Sequence, residues 1–349
     1  MMIKRAKYVL WIVTVVSLIG MTPLNLPAQS GTPEKQNSIL HVSGYAHTGF
    51  EYEVDGASSF TIGSFSPIFH FLYKELLLME TELEIEAEED GSTGLMMEYL
   101  TLDLFLNDYV TLVVGKYLSP LGQFKQNLHP SWINKMPTAP LGFGHGGVIP
   151  SADIGIQLRG GLPINKMRIE FAFSIDNGPQ YALGDDHHGG DGGPVLSHAG
   201  FTVDDNNDKV LGGRIGFLPI PNAGLAVSFA RGGVVSLDGV GVDYGVLGFD
   251  SNWRPAFMKN LELRAEYIGK TAGDDSFSTY YVQSAYLLPH NFEAVLRYGQ
   301  MDKNGDQEQQ SAVGLNYLFS ANIIAKLAYE STKDETTVDR VVVQLAYGF

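Results

Sequence analysis

The sequence predicts an all-β chain, a transmembrane antiparallel β-barrel of about 16 strands with short periplasmic turns and long extracellular loops. Three observations predict it. Apolar and polar residues alternate with a period of two along many short runs, as in "ETELEIEAEED" at 80–90, where Glu80, Glu82, Glu84, Glu86 and Glu88 share one face. Connections alternate between tight ones, such as "LND" before Tyr109 and "FSAN" before Ile323, and longer polar ones at 119–152, 177–207, 271–276, 302–310 and 332–338. Aromatics cap the apolar stripes, as in Val313, Leu315, Tyr317 and Phe319 or Val341, Val343, Leu345, Tyr347 and Phe349, which suits interfacial girdles.

In chain order, residues 1–30 read as a secretory signal: Lys4, Arg5 and Lys7 precede an apolar run over 8–20, and small residues follow near Ala28 and Ser30. The run is shorter than the roughly 20 residues a spanning helix needs, so cleavage between Ala28 and Gly31 is expected. Residues 31–39 form a short periplasmic lead, and 40–349 the barrel. Its strands are read at 41–53, 60–73, 75–89, 95–106, 109–117, 153–162, 167–175, 210–219, 225–231, 240–253, 261–268, 279–288, 292–299, 312–319, 323–329 and 340–349. A barrel of that strand number is wide enough for an aqueous interior, into which the glutamates of the 80–90 stretch would point.

The charge balance narrows the partners. With 23 basic and 39 acidic residues the formal net charge is −16, and loss of residues 1–30 removes bases only. Nucleic acid and anionic membrane surfaces are thereby disfavoured. The absence of cysteine excludes a disulfide framework and a lipid-modified cysteine. No nucleophile elbow, paired metal motif or phosphate loop occurs, so no enzyme and no cofactor are expected.

Several stretches, "LLLMETELEIE", "LTLDLFLNDYVTLVVGKYLSPLGQF", "NLHPSWINK", "YYVQSAYLLPHNFEAVLRYGQMD", "AVGLNYLFSANIIAKLAYE" and "DRVVVQLAYGF", resemble the phosphate-selective porin O/P family over most of the mature chain. The resemblance implies a homotrimeric diffusion channel in the outer membrane of a Gram-negative-type bacterium, surrounded by lipid and passing small hydrophilic solutes or ions. Phe349 is similar to the aromatic C-terminus that signals assembly of such barrels. The segment 119–152 corresponds to the third loop, which in such porins folds into the barrel.

That loop contains no Asp or Glu, and its basic groups are Lys125, His129, Lys135 and His145. Facing Glu80, Glu82, Glu84 and Glu86, it would polarise a constriction. Alternation adds Arg159, Arg264, Arg297, Lys326 and Arg340 to the pore lining, and the mixture of signs implies weak charge selectivity. Two alternatives stand beside this: an anion channel of phosphate type, and a barrel-anchored surface protein that binds metal or ligand through its loops. For the latter, "GDDHHGGDGG" at 184–193 offers His187, His188, Asp185 and Asp191 as candidate ligands.

Overall fold

The computed structural model describes residues 38–349, apart from 89, 145–146, 149–150, 184–193, 198–199, 201, 205 and 237. The expected signal segment 1–30, most of the expected lead, and the candidates His145, Asp185, His187, His188 and Asp191 lie outside the described residues. The strands are β1 (Ser38–Glu53), β2 (Ser58–Thr61), β3 (Ser64–Tyr73), β4 (Leu77–Ala87), β5 (Thr93–Asn107), β6 (Val110–Leu118), β7 (Ala152–Ile164), β8 (Met167–Asp176), β9 (Gln180–Leu183) and β10 (Pro194–Ser197). They continue as β11 (Val210–Ile220), β12 (Ala223–Val235), β13 (Gly241–Trp253), β14 (Leu261–Ala272), β15 (Asp275–Leu287), β16 (Phe292–Lys303), β17 (Asp306–Leu318), β18 (Ile323–Lys333) and β19 (Thr337–Gly348). Sixteen of these strands form a closed antiparallel barrel, in which β2 is a short continuation of β3 along β1 and β19 closes against β1. Strands β9 and β10 make a separate hairpin in the connection between β8 and β11. Because β1 begins at Ser38, the last two residues expected in the lead belong to the barrel wall.

Alternation places the faces as the period of two requires. Ala312, Gly314 and Asn316 are buried inside, while Val313 is 50% and Leu315 43% exposed outside. Closure leaves the sheet no free edge along the seam from Tyr45 to Glu53. No helix among the described residues is long and apolar enough to cross a membrane; the outward apolar faces belong to strands.

The rim bearing Ser38 and Phe349 has short turns, at 74–76, 108–109, 165–166 and 221–222 among others. The opposite rim departs from expectation. The polar stretches 271–276, 302–310 and 332–338 are not long loops, because the strands run on through them and turn at 273–274, 304–305 and 334–336. Polar residues at a strand end beyond an apolar belt still pair their backbones, so polarity there marks the rim and not a loop. Long excursions from this rim remain at 119–151 and 177–209.

Chain closure depends on one small residue. Gly44 exchanges backbone hydrogen bonds with Phe349, N to O at 3.0 Å and O from N at 2.9 Å. A Cβ on Gly44 would lie 2.4 Å from the Ser66 carbonyl oxygen and 2.8 Å from the Phe349 ring. Gly44→Val is therefore expected to lose about 1–3 kcal/mol through overpacking. The check is the urea midpoint of refolded protein; an unchanged midpoint would refute the close approach.

Candidate pore interior

From the end of β6 the chain enters the barrel, and residues 122–141 run along the inner face of β12 to β19. Its entry is fixed by a carboxylate. Glu266 on β14 accepts the backbone N–H groups of Gln123 at 2.9 Å and Phe124 at 3.1 Å, at the start of a single π-helical turn (Phe124–Leu128). Gly122 donates its N–H to Ser228 Oγ on β12 at 2.9 Å. Leu121, Phe124 and Phe143 then bury themselves against Tyr244, Ile268 and Tyr281 of the wall. An inward sheet face here packs apolar side chains from a loop, as a soluble core would.

Deeper in, the loop reaches the rim of the chain terminus: the Trp132 indole covers Gly348, where a Cβ would come within 2.7 Å of it. Irregular backbone leaves carbonyls without partners, and inward basic and amide side chains supply them. Lys326 donates to Ser131 O, to Met136 O at 3.2 Å and to Gln344 Oε1 at 2.8 Å. Asn316 donates to Lys135 O at 2.9 Å, Gln344 to Pro137 O at 3.2 Å, Arg297 to Thr138 O at 2.8 Å and Thr279 to Leu141 O at 2.6 Å.

This seating corrects part of the expected geometry. Lys135 does not face the β4 glutamates; it pairs with Glu293 on β16 at 2.6 Å. Arg297 and Lys326 do point inward, but they lie under the loop with nearly fully buried side chains. Period-two alternation identifies the inward face and says nothing about what covers it.

Lys125 and His129 are the loop residues that meet the acidic face. Lys125, 3% exposed, lies beside Glu98 and Glu84; burial draws its ammonium below the ordinary lysine value, while the two carboxylates pull the other way. His129 Nε2 is 3.9 Å from Glu82 Oε1, and Tyr45 donates its hydroxyl to the same oxygen at 2.7 Å. Glu80 accepts from His70 Nδ1 at 2.8 Å, and Glu86 is exposed near the rim. The four glutamates therefore have distinct surroundings and do not form a uniform ladder.

Around the remaining wall the inward basic groups are paired with acids. Arg159 pairs with Asp103, Arg264 and Arg254 with Glu262, and Arg214 forks onto Asp250 at 2.6 and 2.8 Å. Arg340 bridges Glu330 at 2.8 Å and Glu51 at 3.0 Å. Asp103, Asp250 and Glu51 were not among the expected site residues. Asp103 alternates in step with Thr101 in "LTLDLFL", which was enough to place it inside. Among the described residues, no group of three or more His, Asp or Glu is placed to hold a metal ion.

A closed sixteen-stranded barrel with a long connection seated against its inner wall defines a fold class, that of the outer-membrane porins. No known family matches the chain, and no curated protein matches it. Solved structures do. The anion-selective porin from Comamonas acidovorans is similar at 14% identity and TM-score 0.63, covering 89% of this chain and 100% of that one. The outer-membrane channel DcaP of Acinetobacter baumannii is similar at 13% and 0.62, covering 91% and 99%. In vitro folded OmpT of Vibrio cholerae, in a trimer form, is similar at 9% and 0.59, covering 89% and 99%. At these identities the likeness is one of fold.

Proposed function

We propose that the protein is an outer-membrane porin that passes small hydrophilic solutes and ions by passive diffusion, after export and removal of residues 1–30. The observation that carries the reading is the 119–151 segment, hydrogen-bonded to inward side chains of the barrel wall. A rigidly seated inner loop narrows a wide lumen without relying on a movable plug. The barrel pairs its backbone groups internally, as a wall in lipid must. Porins among the structural neighbours support a channel over an enzyme, and the trimer form of OmpT supports a homotrimer.

Weak charge selectivity is the finer part of the proposal, because inward arginines are matched by acids on the same strand or two strands away. The same pairing argues against a phosphate-type anion path, which needs basic groups free to meet the solute. The loop-binding alternative through 184–193 rests on residues outside the described set.

Selectivity is checked by reversal potentials in planar bilayers under a salt gradient. Lys125→Gln should shift the potential toward cation preference. Replacing Glu80, Glu82, Glu84 and Glu86 by glutamine should shift it toward anions. Both shifts should shrink between 0.1 M and 1 M salt, as the Debye length falls from about 10 Å to about 3 Å. A protein that conducts no current in any bilayer sinks the porin reading itself; unchanged potentials in both variants sink only the assignment of the charged path.

A further inference from the structure

A hydroxyl, an imidazole and a carboxylate stand side by side on the inward face near the rim that bears Ser38 and Phe349. Ser43 on β1, His70 on β3 and Glu80 on β4 occupy adjoining strands: His70 lies opposite Glu80 on one side and opposite His41 on the other, with Ser43 on the diagonal. His70 Nδ1 is 2.8 Å from Glu80 Oε2, and His70 Nε2 is 3.0 Å from Ser43 Oγ. An ionised carboxylate can only accept, so Nδ1 carries the proton, and Nε2 of the neutral ring turns a lone pair to the Ser43 hydroxyl. Nucleophile, base and orienting acid thus meet through the two ring nitrogens in the order that acyl transfer uses.

Access separates this set from the charged groups sealed under the inner loop. Glu330, Arg297 and Lys326 are almost wholly buried, whereas the His70 and Glu80 side chains remain 25% and 28% exposed and Ser43 is half-buried. The Tyr99 hydroxyl lies beside Glu80 and steadies the carboxylate from β5. Ile68, Leu72 and Leu78 take the neighbouring inward positions, each half-buried, and give a short acyl chain an apolar seat. The His41 ring, 5.5 Å from that of His70, adds an N–H donor on the same face, suited to a carbonyl oxygen that gains charge. We propose that Ser43, His70 and Glu80 form a hydrolase site for small carboxylic esters in the wall of the lumen. Ser43 Oγ adds to the carbonyl carbon as its proton passes to His70 Nε2, and the bond to the alcohol breaks as His70 returns that proton to the leaving oxygen. Water then adds to the acylated Ser43, giving its proton to His70 and through it to Ser43 Oγ as that bond breaks, and the carboxylic acid departs. The activity is additional to conduction and requires only that the ester reach this mouth of the barrel.

The test uses the full folded chain in detergent, so its readout is independent of conductance. After exposure to a fluorophosphonate probe, mass spectrometry should find the phosphonyl group on Ser43, with fluoride released, and the same sample should cleave p-nitrophenyl butyrate. His70→Gln should slow both reactions by about a hundredfold or more, the usual contribution of a positioned base. Glu80→Gln should lower kcat roughly tenfold or more with KM nearly unchanged, because it frees the His70 ring without touching the ester. A Glu80 that serves only the wall would leave kcat as it is, which refutes its orienting role and with it the site. Absence of phosphonylation at Ser43 in the native protein, or equal ester cleavage by native protein and Ser43→Ala, overturns the proposal. The labelling of native protein needs no variant and stays decisive should a variant not fold.

Discussion

Val343→Arg is expected to lose roughly 2–4 kcal/mol of barrel stability, the cost of a cation on the lipid face near mid-membrane. Val343 sits in the middle of β19 with its side chain 42% exposed, opposite Leu327 on β18 and Phe50 on β1. An arginine there has apolar neighbours across both ladders and no acid directly opposite it to pair with. The contrasting variant is Glu170→Arg, on the inward face of β8, where the native carboxylate is 35% exposed and meets Arg168 at 3.3 Å. Water solvates the new cation beside Arg168 and Arg214, and the loss should stay at about 1 kcal/mol, well below that at Val343. Urea unfolding in lipid vesicles separates the two; equal losses would mean that the inner and outer faces are interchanged.

Glu330→Ala should cost about 3–5 kcal/mol, because it breaks a buried charge network by one partner. Glu330 is 0% exposed and accepts from Arg297 at 3.3 Å, from Arg340 at 2.8 Å and from the Thr138 hydroxyl of the inner loop. Its removal leaves the Arg297 side chain, 1% exposed, without a carboxylate. The loop loses one anchor at the same time, so single-channel records should show new fluctuations between conductance levels. Glu330→Gln keeps an acceptor for Thr138 and should be milder. Native stability and quiet records in the alanine variant would show that the network does not hold the loop.

The strands and their two faces were legible because a period of two survives along most ladders, from Glu82 and Glu84 on β4 to Gln344 and Ala346 on β19, with slips where β4 meets β5, β5 meets β6 and β11 meets β12. The rim turns were misread for a local reason with a local remedy. Asn304 and Gly305 have φ of 55° and 99°, and an Asn-Gly pair is a strong signal for a two-residue hairpin turn inside the polar stretch 302–310. What no local pattern could supply was the loop's seating. Gln123 meets Glu266 across 143 positions, and Lys326 meets Ser131 across 195. Gln344 shows the cost of that gap: alternation marks it as a lumen residue open to substitution, whereas it is 5% exposed and bonded to both Lys326 and Pro137.

The tight turns at 273–274, 304–305 and 334–336 give the rim opposite the chain terminus a low profile from β14 to β19. An antibody or phage tail fibre landing on that arc would find strand ends and two- or three-residue turns, with little projecting backbone to grip. The connection 177–209 leaves from the other arc, so in the outer-membrane porin proposed above, with this rim outward, recognition from outside the cell would concentrate there. Sequence drift under immune or phage pressure on such a porin would accordingly fall on 177–209 and spare the turns, where loss of Gly273 or Gly305, with φ of 60° and 99°, disrupts pairing and a gained residue shifts register.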